Sequence, residues 1–480
     1  MKAVIWMDTA QLPKYQQVIE TIKGKISKGE WPIGSKIPSQ RKLAEEFGVN
    51  RSTIITALEE LAADGLIEGK TGVGTKVINN TWTLLASRQS ANWSEYIDTG
   101  IHRASEKIVQ EINDLEMDPA FIQLSKGELS PEIFPVQTMQ KVLKEAADEL
   151  SELGYEEPKG YLPLRQAVSE YLAQSGIDTS PSSILIVSGG LQALQLVSLG
   201  LVQRGAPVFL EKPSYLYSLQ LFRSSGMNLK GLPMDKEGVI TKSISLKKYE
   251  KGKSILYTIP SYHNPTGILM TEKRRRELLD VCRIEQLPIV EDDIYRELWL
   301  DEMPPPPLKA MDKNGQVLYM GSLSKTLSPG LRIGWVAAPE PVIDRLADLK
   351  MQTDYGSSSL SQRVAEKWLS SGLYQKHMES VREQLRIRRN TALNTLDAHL
   401  SGIAEWNSPE GGFFIWLKVP SSIPIRSLYR QAILRKLLIN PGSIYSDGPN
   451  HFIRISYAYA SLGELQEGIF ILGEEIRKLL

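Results

Sequence analysis

From Pro119 to the C-terminus, short apolar runs of β type alternate with helical patterns, and this alternation constrains the fold more than any other feature. The runs are Ile184–Val187, Pro207–Leu210, Ser254–Ile259, Pro288–Val290, Val317–Met320 and Gly334–Ala337. Such alternation predicts an α/β domain with helices layered on a largely parallel sheet. Residues 12–78 differ in character: short amphipathic helices follow closely on one another and end in a Gly-rich hairpin. Residues 79–118 are mixed and polar without a strong period, although Ile101–Leu115 can form a helix. That stretch reads as a linker long enough to let its flanking domains move independently. At 480 residues and roughly 150 residues per domain, the chain is too long for one ordinary domain. The predicted division is 1–78, 79–118 and 119–480.

Composition narrows the function classes. Hydrophobic residues at 42% and charged residues at 23% allow a large globular core. The formal net charge is zero, so a chain coated in basic surface is excluded. A local basic face is not excluded, because charge averages over unlike domains. Within Met1–Ile78, eleven Lys/Arg stand against nine Asp/Glu, a net of +2, so nucleic-acid binding has to be argued from placement. The single cysteine, Cys282, rules out an intrachain disulfide and fits a reducing cytoplasm. Neither a signal-peptide core nor an apolar run near the ~18 residues of a membrane span is present. The five histidines have no ligand spacing, which points away from a metal site. Pro304–Pro307 reads as a stiff surface spacer.

In the N-terminal region, Val18, Ile19, Ile22 and Ile26 fall at helical spacing, and Gly29 with Trp31-Pro32 stops that helix. A second helix starts at Pro38-Ser39 with Ser39 as its N-cap, and Leu43, Ala44 and Phe47 form its inner face. Gly48-Val49-Asn50 turns into a third helix, Arg51 to Asp64, lined by Ile54, Ala57, Leu58 and Leu61. Two short helices joined by such a turn make a helix-turn-helix. Leu66–Glu68 and Thr75–Ile78, joined through Gly69–Gly74, make a two-stranded wing. Apolar stripes of this kind are ordinary core; the polar side decides. Arg41, Arg51, Ser52 and Thr53 cluster at the N-terminal ends of the second and third helices, where a recognition helix meets bases and phosphates. Lys70 and Thr71 sit at the wing tip.

Over some 60 residues this region resembles the GntR-type winged helix. The landmarks are G-x-x-x-P-S-x-R-x-L-A from Gly34 to Ala44, V-x-R-x-T from Val49 to Thr53, and G-x-G-T from Gly72 to Thr75. The resemblance implies that Ser39, Arg41, Arg51, Ser52, Thr53 and the wing residues Lys70 and Thr71 contact double-stranded DNA. Asn50 stands where serine is common in that family, and either residue can cap.

Further along, six fragments follow one another, each ordinary alone. Ser188-Gly189-Gly190 follows an apolar strand and opens a helix, whose N-terminus can hold a phosphate. Tyr215 can stack on a flat ring. Asn264, in Asn264-Pro265-Thr266-Gly267, offers an amide to a phenolic oxygen, although the fragment is a turn by composition. Asp292 ends an apolar strand, where a carboxylate can hold a pyridine nitrogen protonated, and Tyr295 can reach a phenolate. The sharpest fragment is Ser322–Gly334. Lys325 there can form a Schiff base, and Ser322, Ser324 and Arg332 are placed for a phosphate. Arg454, within an apolar strand, needs an anionic partner, either a structural carboxylate or that of a ligand.

In this order the fragments resemble the aspartate aminotransferase fold, PLP fold-type I, from about Pro119 to Leu480. Gly127, Phe134-Pro135, Tyr155…Gly160…Leu164-Arg165 and Gly411-Gly412-Phe413-Phe414 belong to the same pattern. The resemblance implies a smaller C-terminal subdomain, pyridoxal 5′-phosphate (PLP) as cofactor, and a homodimer in which Tyr155 reaches the cofactor phosphate of the partner subunit. Gly190-Leu191 departs from it, since relatives often carry a hydroxyl or glutamine there. A winged helix, a linker and an aminotransferase-like domain, in that order, resemble the MocR-type regulators. That layout implies a PLP-dependent transcription regulator sensing an amine or amino-acid effector, or PLP itself, through Lys325. An aminotransferase with an appended DNA-binding domain is the alternative, because the lysine and aspartate that catalysis requires are intact. A third reading, an empty dimerisation scaffold, fits those intact residues poorly.

Overall fold

A computed structural model of the chain describes residues 13–70, 74–79, 96–97, 99–100, 104–246, 252–448 and 450–480. It divides into two compact units, Met1–Ile101 and His102–Leu480.

In the first unit, helices α1 (Lys14–Ser27), α2 (Gln40–Phe47) and α3 (Arg51–Ala63) precede the hairpin β1 (Ile67–Lys70) and β2 (Gly74–Val77). The predicted stripes become the core: Val18, Ile19, Ile22 and Ile26 pack with Leu43, Ile54, Ala57, Leu58 and Leu61. Gly48 closes α2 in the left-handed conformation at φ +61°, which only glycine adopts without steric cost. Asn50 then caps α3, accepting from the Thr53 backbone at 3.0 Å. The wing is antiparallel, with Ile67 opposite Val77, and Lys36 bridges to Lys76 beside it.

The second unit is built on an eight-stranded sheet in the order β4-β11-β10-β9-β8-β5-β6-β7. Its strands are β4 (Ile184–Val187), β5 (Pro207–Lys212), β6 (Asn228–Asp235), β7 (Gly238–Val239), β8 (Ile255–Thr258), β9 (Ile289–Asp292), β10 (Val317–Ser322) and β11 (Gly334–Ala337). All six apolar runs read from the sequence are strands, with β5, β9 and β10 reaching two residues further than their runs. β10, β9, β8, β5 and β6 are mutually parallel, while β11 runs antiparallel to β10 and β4. The sequence did not announce β6. It lies toward the edge of the sheet with most of its residues exposed or half-exposed, so it lacks a continuous apolar run. A smaller antiparallel sheet near the C-terminus contains β13 (Phe414–Lys418) and β16 (Phe452–Ser456). β3 (Ile122–Gln123) pairs with β14 (Leu437–Leu438), fastening the start of this unit to that subdomain.

Within the segment read as a linker, Lys107–Leu115 is helical and buries Ile112 in the core of the second unit. The proline run departs from its reading as a surface spacer. Pro304 and Pro307 are buried, and the buried Arg296 donates to the carbonyls of Pro304 and Pro305 at 3.4 and 2.8 Å. Glu291 accepts from the Leu308 and Lys309 amides just beyond, at 2.7 and 2.8 Å. Proline carbonyls keep full acceptor strength, so this run serves as a socket for buried arginines.

Candidate functional site

On the first unit, Arg51 donates through Nε and Nη2 to Gln40 Oε1 at 3.1 and 3.0 Å, tying together the N-terminal ends of α2 and α3. The tie gathers Ser39, Arg41, Arg51, Ser52 and Thr53 at one end of the helix pair. Ser39 accepts from the Lys42 amide at 3.4 Å. The Arg41 side chain is 89% exposed, 3.4 Å from Glu45. Ser52 and Thr53 donate their hydroxyls to Asn50 Oδ1 at 2.9 and 2.6 Å, so outward they present acceptor lone pairs rather than free donors. The Lys70 backbone ends β1; Thr71 lies outside the described residues.

On the second unit, the predicted fragments converge at the carboxyl ends of β4, β5, β8, β9 and β10, where open α/β sheets bind ligands. Ser188-Gly189-Gly190 follows β4 and opens the helix Gly190–Gly200. Gly189 has φ +88°, and a Cβ there would lie 2.8 Å from Arg332 Nη2. That nitrogen donates to Ser188 O at 2.6 Å, so the turn and the guanidinium interlock only around a glycine. The Ser188 amide is engaged by Gln192 Oε1 at 2.7 Å, and its hydroxyl meets Ser357 Oγ at 3.1 Å. Ser322 donates to Ile333 O and accepts from the Ser324 amide, both at 3.1 Å, which commits its hydroxyl to the main chain. The Ser324 hydroxyl is buried and has no partner among the described residues.

Lys325 sits three residues past β10 and donates to the Gly127 carbonyl at 2.7 Å. Burial holds its amine below the ordinary lysine range, against the opposing pull of Glu128, which raises the fraction present as a neutral nucleophile. Asp292 ends β9 and is buried; Tyr257 Oη donates to its Oδ2 at 2.6 Å. Its Oδ1 has no partner among the described residues. Burial pushes the Asp292 carboxyl up to about 6, although the Tyr257 hydrogen bond opposes the rise. Arg454 Nη1 donates to Asn264 Oδ1 at 2.9 Å, and Asn264 Nδ2 donates to Tyr295 Oη at 3.4 Å. The Arg454 guanidinium lies 4.1 Å from the Phe414 ring and 5.1 Å from the Tyr445 ring, and its Nε is buried without a partner among the described residues. Tyr215 is half-buried; burial raises its phenol, and the neighbouring charges of Asp292 and Arg454 act in opposite directions.

Ser188, Gly189, Gly190, Tyr215, Asn264, Asp292, Tyr295, Ser322, Ser324, Lys325, Arg332 and Arg454 therefore gather at the carboxyl ends of these strands. Tyr155 does not join them. It is 82% exposed, with its ring 5.0 Å from that of Tyr355. The sequence reading missed Tyr257, whose hydroxyl holds Asp292. Its signal was slight, since tyrosine is an ordinary strand residue and β8 also carries the polar Thr258. It also missed Ser125, whose carbonyl accepts from Arg454 Nη2 at 2.5 Å. Among the described residues, no group of His, Cys, Asp and Glu could hold a metal ion, and no helix is long and apolar enough to cross a membrane.

Comparison with known proteins gives the same two-part division. Residues 14–77 match the gntR family of bacterial regulatory proteins, and residues 119–470 match aminotransferase class I and II. Over its length the chain is 61% identical to the HTH-type transcriptional regulator YdfD of Bacillus subtilis (strain 168), covering 98% of this chain and 97% of that one. It is 35% identical to the HTH-type transcriptional regulator NorG of Staphylococcus aureus (strain N315), covering 92% and 100%. Among solved structures, the multiple substrate aminotransferase of Thermococcus profundus aligns with TM-score 0.73 at 30% identity, over 78% of this chain and 96% of that one. The α-aminoadipate aminotransferase LysN of Thermus thermophilus, solved with N-(5′-phosphopyridoxyl)-L-leucine, aligns with TM-score 0.73 at 30% identity, over 81% and 98%.

Proposed function

The chain belongs to the transcription regulators that join a gntR-type helix-turn-helix domain to a class I and II aminotransferase domain, and from that membership we propose that it binds operator DNA under the control of PLP and an amino-acid effector.

One observation carries the reading. Asp292 Oδ1, Ser324 Oγ and Arg454 Nε are buried around Lys325 without partners among the described residues. Buried polar atoms are nearly always satisfied, so the crevice is built for a ligand that supplies the missing partners. The donor set fits PLP: Asp292 would accept from a pyridinium nitrogen, Ser324 and Arg332 would donate to a phosphate, Tyr215 would cover a ring, and Asn264 with Tyr295 would meet a phenolate. Bound PLP supplies an aldehyde that exchanges one amine for another and a ring that stores negative charge.

The residues of the chain do the rest. Lys325 offers the amine that anchors the aldehyde, and burial favours its neutral form. Asp292, held by Tyr257, would keep a proton on the ring nitrogen. Arg454 presents its guanidinium to the carboxylate of an effector, as a planar fork braced by two aromatic rings. On the first unit, Arg41, Arg51, Ser52 and Thr53 meet the DNA backbone and bases. The wing, with Lys70 and Thr71, adds backbone contacts. The exposed Tyr155 fits a homodimer in which it completes the crevice of the partner subunit.

An effector changes DNA occupancy only if it binds one arrangement of the two units better than the other. The test uses the full chain loaded with PLP and DNA that the protein itself selects from a random-sequence library. Amino acids that change the cofactor absorbance are expected to change DNA affinity. If they leave it untouched, the sensing proposal fails. An intact Lys325 and Asp292, together with structural neighbours that are aminotransferases, support turnover as a second reading. Sustained conversion of an amino donor and a 2-oxo acid would favour it.

A further inference from the structure

Ser125 is fully buried and faces two ways. Its carbonyl accepts from Arg454 Nη2 at 2.5 Å, while its hydroxyl donates to Glu116 Oε1 at 2.8 Å. Glu116 is the C-cap of the helix Lys107–Leu115, the first long helix of the second unit and the point at which the segment from the DNA-binding unit arrives. The residues around Ser125 grip the same helix end: Gln123 Nε2 donates to Leu115 O at 3.1 Å, and Lys126 Nζ reaches Glu116 O at 3.5 Å. These side chains satisfy carbonyls that a helix C-terminus leaves without intrahelical donors.

A carboxylate at that position opposes the helix dipole, so Glu116 does not serve the stability of its own helix. What holds it is the Ser125 hydroxyl. Its charge also reaches the crevice, where it acts on Lys325, Tyr215 and Tyr445. We infer that Ser125 and Glu116 report the occupancy of Arg454 to the helix Lys107–Leu115, so that an effector carboxylate loosens that helix end. The inference rests on the proposed effector site. A carboxylate arriving at Arg454 competes with Ser125 O for the guanidinium and brings negative charge toward Glu116. Both effects weaken the grip, so they add rather than cancel.

Hydrogen exchange over residues 107–118 of the full PLP-loaded chain tests it, with two probes. Aminooxyacetate and O-methylhydroxylamine both bond the aldehyde carbon of the cofactor and release the Lys325 side chain as a free amine, but only the first carries a carboxylate. Aminooxyacetate is expected to speed exchange about fivefold, the change produced by losing one net hydrogen bond, while O-methylhydroxylamine leaves it unchanged. Glu116→Gln still accepts from Ser125 but carries no charge, and should remove most of the response while the absorbance change remains. Ser125→Ala keeps the carbonyl and deletes the hydroxyl, so exchange should be fast before any probe is added. Equal exchange with both probes, alongside a normal absorbance change, overturns the relay alone. If neither probe alters the absorbance, the cofactor reading fails and the relay falls with it.

Discussion

Tyr257 donates its hydroxyl to Asp292 Oδ2 at 2.6 Å and leaves Oδ1 open, so the aspartate is oriented by one oxygen and offered by the other. Burial raises the Asp292 carboxyl from 3.8 to about 6, equivalent to ~3 kcal/mol between its protonation states. Between those two values the folded chain holds a proton that the unfolded chain has released. Stability of the cofactor-free protein from this group is therefore full below about pH 4 and is lost as pH rises through about 6. Asp292→Asn should remove that slope and stabilise the cofactor-free protein near neutral pH, as urea titrations across pH would show. The same substitution should weaken PLP retention, because the ring nitrogen loses its partner.

Tyr257→Phe separates orientation from charge. The hydrogen bond from Tyr257 lowers the Asp292 carboxyl, so its loss raises that carboxyl further above 6. The pH midpoint at which the bound cofactor changes absorbance should shift, while the cofactor itself is retained. An unchanged midpoint would mean that Tyr257 is only packing.

Lys325→Ala should abolish the absorbance of the anchored cofactor and weaken PLP binding by about a hundredfold, or ~3 kcal/mol. Lys325→Arg should behave like the alanine variant spectroscopically, because a guanidinium keeps the charge but cannot anchor the aldehyde. Titration of the cofactor-free protein with PLP, followed by absorbance, distinguishes these outcomes from unchanged retention.

The sequence showed the site wherever a functional side chain interrupts an apolar run. Asp292 and Arg454 stand out because a charge at the end or middle of a buried strand has to be compensated. Lys325 stands out because it lies in a stretch punctuated by glycine and proline. Tyr257 stayed hidden because tyrosine is an unremarkable strand residue until its hydroxyl finds a partner. Ser125 stayed hidden because its main contact is a backbone carbonyl, which no side-chain pattern encodes. The proline run misled for a related reason: composition shows that proline stiffens a chain, not that its carbonyls receive Arg296 and, at Pro306, Arg275 at 3.3 Å. β6 escaped because an exposed strand carries no apolar run.

Arg454 should discriminate by carboxylate. Its Nη groups already bind Asn264 and Ser125, so it is braced in position before an effector arrives, and its lost rotamer entropy is already accounted for. Arg454→Met is expected to weaken binding of amino acids by about a hundredfold, the scale of a buried charged hydrogen-bond pair. Binding of amines without a carboxylate should change little. Parallel absorbance titrations with an amino acid and its decarboxylated amine measure the difference, and equal losses for both would remove Arg454 from the effector site.

On the DNA-binding unit, two substitutions should separate stability from recognition. Asn50 caps α3 through the Thr53 amide and also accepts the hydroxyls of Ser52 and Thr53. Asn50→Ala should therefore cost about 1–2 kcal/mol of stability in this unit and weaken DNA binding only through unfolding, an effect that cooling reverses. Arg41 has an exposed side chain, and its ion pair among the described residues, to Glu45, is one turn away on the same helix, so its loss costs little stability. If Arg41 meets a phosphate, Arg41→Ala should weaken binding to all DNA sequences alike and reduce the salt dependence of log affinity by about 0.9. Sequence-selective loss with an unchanged salt slope would instead place Arg41 on a base edge. No change in either would place it away from the DNA.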